Sequence, residues 1–206
     1  MAKDPSNIVL IGMPGSGKST IGIILAKMIS YDFIDTDVLI QTSQGRSLQE
    51  IVDSEGHMAL RRIEEDVLLN LGCHHHVIAT GGSAAYSHAA MTHLQSDGIV
   101  VFLNVRLQTL EARVHDFDTR GLAKRSDQSL ADLFEERFAL YTKYADITVD
   151  CDDLTHEEVC SRIIEELKTR GQSQGASVTG ARQPAGLDLD DKPLSGGPWP
   201  GEKQTG

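Results

Sequence analysis

The stretch Ile8-Val9-Leu10-Ile11-Gly12-Met13-Pro14-Gly15-Ser16-Gly17-Lys18-Ser19 decides the fold. Four apolar, mostly β-branched residues read as a short buried strand; glycines then break it, and from Lys18 to Ile29 apolar residues return at helical spacing. Gly12 to Ser19 fits G-x-x-x-x-G-K-S/T without a gap, in the strand–loop–helix setting where that motif cradles phosphate. Its glycines let successive N–H groups turn towards phosphate oxygens, and the helix that follows adds the positive end of its dipole. Lys18 is placed to reach the β- and γ-phosphates of ATP, and the Ser19 hydroxyl to take a position on Mg²⁺. Gly15, Ser16, Gly17 and Thr20 complete the expected nucleotide-binding set.

Working outward, short apolar runs recur at Phe33-Ile34, Val77-Ile78-Ala79, Ile99 to Leu103 and Ile147-Thr148-Val149. Helical patterns are predicted over Leu48 to Val52, His57 to Leu71, Leu107 to Val114, Leu130 to Tyr144 and His156 to Leu167. Alternating strands and helices predict an α/β fold, a parallel sheet with helices on both faces and right-handed crossovers. Aromatic residues make up only 5% of the chain, so the core must be aliphatic, as suits a buried parallel sheet.

The 206 residues suffice for one well-buried domain. A net charge of −11 excludes nucleic-acid binding through a broad basic face, while leaving room for a local phosphate pocket. Cys73, Cys151 and Cys160 are odd in number and lack metal-ligand spacing, so free thiols in a reducing cytoplasm are expected. Met1 to Asn7 is too short and polar for a signal peptide, and no apolar run approaches a membrane span. From Gly171 the composition turns to Gly, Ser, Gln, Pro and Asp, which cannot bury enough apolar surface to offset ordering entropy. The expected organisation is a domain over 1–170 and a disordered tail over 171–206. His74-His75-His76 reads as ordinary chain, because three consecutive side chains before a strand cannot all aim at one ion.

Phe33-Ile34-Asp35-Thr36-Asp37 puts two carboxylates at the end of the second strand, the edge where open α/β sheets gather ligands. If the strand stays extended, Asp35 and Asp37 face the same side, one for the Mg²⁺ water shell and one to orient an acceptor hydroxyl and take its proton. The same residues permit another use, Asp37 as the cap of a helix beginning at Val38.

From about Asn7 to Lys168 the sequence resembles the shikimate kinase family, within the nucleoside monophosphate kinase branch of P-loop proteins. The likeness rests on the loop, on Phe33 to Asp37, on Leu60-Arg61-Arg62-Ile63-Glu64, on Thr80-Gly81-Gly82 and on Glu136 to Tyr141. It implies a three-layer α/β/α P-loop fold, a five-stranded parallel sheet in the order 2-3-1-4-5, and a mobile lid. It implies that Asp35 positions Mg²⁺, that Asp37 binds acceptor hydroxyls, and that Arg61 and Arg137 hold the acceptor carboxylate, with Glu64 supporting Arg61. Gly81 and Gly82 are implied to approach the acceptor and the γ-phosphate, Arg113 the adenine side, and Arg120 to act from the lid with Lys18 and Asp37 in catalysis. From pattern alone, Arg61 and Arg137 read first as structural surface arginines, and the family likeness reverses that reading.

Three departures stand out, one of them Ala139 where a proline is typical before Leu-Tyr. The family's third glycine is Ser83 here, and its usual lid run Arg-Pro-Leu-Leu is Arg120-Gly121-Leu122-Ala123. Glycine after the lid arginine predicts a more flexible loop, and the small Ala123 a reshaped acceptor pocket. The expected activity is ATP- and Mg²⁺-dependent phosphorylation of a small hydroxy acid, shikimate first, by a cytoplasmic monomer that uses neither nucleic acid nor membrane. The alternatives are another acceptor, such as homoserine or gluconate, and a non-catalytic ATP-binding regulatory module.

Overall fold

The structure, a computed structural model, describes residues 5–113, 121–125 and 127–176. Strand β1 (Asn7–Ile11) is buried along its whole length, as an apolar run enclosed by strands and helices must be. It pairs in parallel with β3 (His76–Ala79) through Val9 opposite Ile78, and with β4 (Gly98–Asn104) through Val9 opposite Val100. Strands β2 (Asp32–Asp35) and β5 (Ile147–Asp150) form the two edges, giving the order β2-β3-β1-β4-β5. The all-parallel sheet and its order are as expected. In β5 the alternation is clean: Ile147 and Val149 are buried, Thr148 and Asp150 exposed.

Helices α1 (Lys18–Ile29), α2 (Thr36–Gln44), α3 (Leu48–Glu55), α4 (His57–Leu69), α5 (His88–Ser96), α6 (Leu107–Arg113), α7 (Leu130–Tyr144) and α8 (His156–Ala176) surround the sheet. Helix α1 packs on α8 and on β2 and β3, while α5 and α7 pack on β4. Leu10, Val77, Val101 and Leu103 are fully buried in the main core. Ile40, Ile51, Leu60 and Ala123 form a second, smaller apolar cluster under the acceptor side.

Strand β2 ends at Asp35 and α2 starts at Thr36, so the extended geometry considered for Asp35 and Asp37 does not hold. The reason is capping: the Asp35 side chain accepts hydrogen bonds from the backbone N–H of Asp37 at 3.0 Å and of Val38 at 3.4 Å. The cap is therefore Asp35, and Asp37 stands in the first turn of α2. Helices α2 and α5 escaped the sequence patterns because each is short and amphipathic only in part; Val38 and Leu39 face solvent while Ile40 is buried. Helix α8 continues to Ala176, past the change of composition at Gly171, since a helix nucleated on a packed face at Val159, Cys160 and Ile163 propagates cooperatively. Residues 177–206 and Arg120 lie outside the described residues.

His74, His75 and His76 turn to separate partners: His74 to the Asp97 carboxylate at 2.6 Å, His75 edge-on to Tyr31, and His76 to the His74 carbonyl at 2.8 Å. Cys73, Cys151 and Cys160 are free. Among the described residues no helix is long and apolar enough to cross a membrane.

Candidate active site

In-register pairing of Leu10 with Ala79 and of Ala79 with Asp35 ends three parallel strands at one edge, and so gathers the loops that follow them. There a cleft of about 390 Å³ opens. Gly15, Gly17, Lys18, Ser19 and Thr20 line one side, Asp37, Gly81, Gly82 and Arg137 the other, and Arg113 also borders it. Residues predicted from stretches far apart in sequence thus share one cavity. Ser16 lies buried within the loop, its Oγ without a hydrogen-bond partner. Arg113 faces a second recess as well, beside Gly15, Gly17 and His156 at the start of α8.

The phosphate side is shaped for an anion. Helix α1 is capped by Gly17 at φ 91°, with no side-chain cap and no acidic residue in its first turn, so its leading N–H groups are unclaimed by side chains. The Lys18 ammonium donates to the carbonyls of Gly12 at 2.8 Å and Met13 at 2.9 Å, folded back on its own loop. Burial draws it down to about 8, with Asp37 acting to raise it and Arg137 to lower it.

On the acceptor side, the glycine turn is clamped from several directions. The Gly81 N–H donates to Thr36 Oγ1 at 3.0 Å, Thr80 Oγ1 donates to the Leu10 carbonyl at 3.0 Å, and the Tyr141 hydroxyl donates to the Gly82 carbonyl at 2.6 Å. A Cβ at Gly81 would stand 2.4 Å from Glu64 Oε1 and 2.6 Å from Asp37 Oδ1. At Gly82 it would stand 2.6 Å from an Arg137 nitrogen and 3.0 Å from Pro14. The two glycines therefore let two carboxylates, one guanidinium and the phosphate loop converge. Burial raises the Asp37 carboxyl against the pull of Lys18, and pushes Glu64 up to about 7 despite a hydrogen bond from Ser83.

Arg61 and Arg137 come together as predicted. Each donates one N–H to the same acceptor, the Ala123 carbonyl, at 3.1 and 3.0 Å. Both are far from ordinary surface arginines: Arg137 is 1% exposed, and the Nε of each is buried without a hydrogen-bond partner. Arg61 borders a recess of about 270 Å³ that adjoins the main cleft through Glu64 and Ser83.

Two expectations are corrected here. Glu64 makes no ion pair with Arg61 among the described residues; it accepts a hydrogen bond from Ser83, because the Arg61 guanidinium lies instead on the Tyr86 ring, 3.6 Å from its centroid. Ser83, at φ −104°, needs no glycine, and its hydroxyl gives the buried Glu64 carboxylate a donor at Oε2, while Oε1 has no hydrogen-bond partner. Gly121 does not loosen its segment: at φ +62° its backbone rests on α3, donating to the Gln49 side chain at 2.6 Å. Ala123 is buried in the smaller apolar cluster and also lines the cleft, and its carbonyl accepts from both arginines.

Sequence reading missed Tyr86. A lone tyrosine after two alanines carries no signal, and only packing sets it under Arg61, with Arg137 at 5.5 Å, where a ring face attracts guanidinium.

The charge pattern sets a pH dependence. In the free enzyme kcat/KM for ATP should fall above about pH 8 as Lys18 loses its proton. Bound phosphates add negative charge that raises Lys18, so the alkaline limb of kcat should lie higher than that of kcat/KM, which paired pH–rate profiles would check.

The family described as shikimate kinase matches residues 14–168. A shikimate kinase from Rippkaea orientalis is 40% identical over 167 residues, covering 79% of this chain and 88% of the relative. One from Thermosynechococcus vestitus is 36% identical over 166 residues, covering 79% and 90%. Among solved structures, the shikimate kinase of Acinetobacter baumannii in complex with shikimate superposes with a TM-score of 0.75 at 29% identity, covering 81% of this chain and 94% of that one. That of Aquifex aeolicus gives 0.68 at 33%, covering 84% and 99%.

Proposed function

Because the chain belongs to the shikimate kinase family, we propose that it transfers the γ-phosphate of ATP to the 3-hydroxyl of shikimate. The observation that carries this reading is the arginine pair: two guanidiniums meet at the Ala123 carbonyl, Arg137 lines the cleft with Asp37, and each arginine keeps a buried Nε unpaired. Planar donors in that arrangement suit a carboxylate, and an acceptor lacking one would leave them unsatisfied.

In the proposed cycle the phosphates of ATP lie on the N–H groups of Gly15 to Ser19, and Lys18 leaves its carbonyl partners to reach them. Arg113 faces the adenine side. Arg61 and Arg137 fix the acceptor by its carboxylate, Gly81 and Gly82 give it close approach, and Asp37 orients its hydroxyl and takes the proton as the O–P bond forms and ADP leaves. Lys18 is the nearby cation that pulls the Asp37 carboxyl down against the rise that burial causes. Mg²⁺ is assigned to Ser19 and Asp35: Ser19 lines the cleft, while Asp35, outside that lining, uses only Oδ1 for its cap and keeps Oδ2 for a metal-bound water. Held there, the ion would neutralise phosphate charge during transfer. Arg120, adjacent in sequence to Gly121, is assigned the lid role over the phosphates. The enzyme is proposed to work as a cytoplasmic monomer, its catalytic domain spanning residues 1–170.

The test is ADP release with MgATP, comparing shikimate with homoserine and gluconate. Stimulation by shikimate alone is expected. Stimulation by another acid would overturn the acceptor, and a flat response to all would point to an ATP-binding regulator.

A further inference from the structure

We propose that Gln49 is a positioning residue for the reaction: its side-chain carbonyl latches the Gly121 N–H, and so holds the Ala123 carbonyl against the two arginines. This rests on the acceptor reading above, in which Arg61 and Arg137 bind a carboxylate.

The latch starts from a rigid base. Ser47 and Glu50 form a reciprocal capping box at the start of α3, fixing the turn that carries Gln49. The Gln49 amide is oriented by its own helix: Nε2 donates to Asp53 Oδ1 at 2.6 Å, one turn on, which leaves the carbonyl to face Gly121. It accepts the Gly121 N–H at 2.6 Å. The contact is backbone against backbone, since a Cβ at Gly121 would lie 2.4 Å from the Gln49 nitrogen and 2.5 Å from the Leu48 carbonyl carbon. A proline at 121 would have no N–H to give, and its φ near −65° could not match the observed +62°.

Two residues further on, the chain is held again. The Ala123 side chain packs with Ile40, Ile51 and Leu60, and its carbonyl takes one N–H from each arginine. A short segment pinned at both ends thus sets the plane of each guanidinium while leaving its Nε edge unpaired. Loss of the first pin loosens the carbonyl and, through it, the acceptor clamp.

The test compares wild type with Gln49→Met, which keeps the chain length and removes the acceptor oxygen, and with Gln49→Glu/Asp53→Asn, which reverses the helix pair and restores an oxygen facing Gly121. Gln49→Met should raise the acceptor KM about three- to tenfold, leave the KM for ATP within about twofold, and speed hydrogen exchange at the Gly121 amide. The double variant should recover both acceptor KM and exchange. An unchanged Gly121 exchange rate in Gln49→Met, an unmoved acceptor KM, or a KM for ATP rising in step would each overturn the latch. Failure of the functional reading is separate: wild type would then show no shikimate-stimulated turnover, while the exchange measurement would still decide whether Gln49 holds Gly121.

Discussion

An Asp37→Asn variant should fold, bind MgATP and shikimate, and lose about 10²- to 10⁴-fold in kcat, the range of a positioned general base. Asparagine keeps the shape beside Gly81 and can still accept a hydrogen bond from the acceptor hydroxyl, but it cannot take the proton. The substitution has a second effect through Lys18. Asp37 acts to raise the Lys18 pKa from within a buried setting, so its loss lowers that pKa further. The alkaline limb of kcat/KM should therefore move to lower pH in the variant, a shift that simple disruption of acceptor binding would not produce. Steady-state kinetics across pH, with Kd values for both substrates, would separate the two effects. An Asp37→Asn enzyme with near wild-type kcat would remove Asp37 from the proton transfer.

Arg137→Lys should raise the acceptor KM by on the order of 10²-fold and leave the KM for ATP nearly unchanged, the loss expected when one partner of a buried, hydrogen-bonded charge pair is degraded. The charge is kept, so the effect isolates geometry. Arg137 is 1% exposed and uses Nη2 on the Ala123 carbonyl, while its Nη1 lies close to Gly82 and its Nε is unpaired. A guanidinium serves these directions from one plane; an ammonium is a single point on a shorter stem and must abandon some of them. Equal losses for shikimate and for a decarboxylated analogue would show that Arg137 supports the fold of the turn rather than the substrate carboxylate.

The central fold was legible because its signals are local. Ile8 to Ile11 and the Gly12 to Ser19 loop carry strand, turn and helix in one contiguous run, β4 shows as a continuous apolar run, and α7 shows by its helical period. Asp37, Gly81, Gly82 and Arg137 were found through spacing and family likeness, and they do line one cleft. What the sequence could not carry depends on which neighbour a side chain chooses. Asp35 and Asp37 look alike on paper, yet only Asp35 closes onto the N–H groups of α2. Glu64 and Arg61 share a helix face, yet Ser83 wins the carboxylate and Tyr86 the guanidinium. Gly121 reads as a hinge, since glycine is permissive in isolation; against α3 it is the residue whose missing Cβ allows a fixed contact.

The touch between Pro14 and Gly82 makes the two halves of the cleft thermodynamic neighbours. A methyl group at Gly82 would press on Pro14 at 3.0 Å and collide with the Arg137 guanidinium, so the nucleotide loop and the acceptor turn share a wall. Any change in one that accompanies its ligand alters the space offered to the other. Linkage then demands reciprocity: whatever factor bound ATP adds to the affinity for the acceptor, bound acceptor returns to ATP in equal measure.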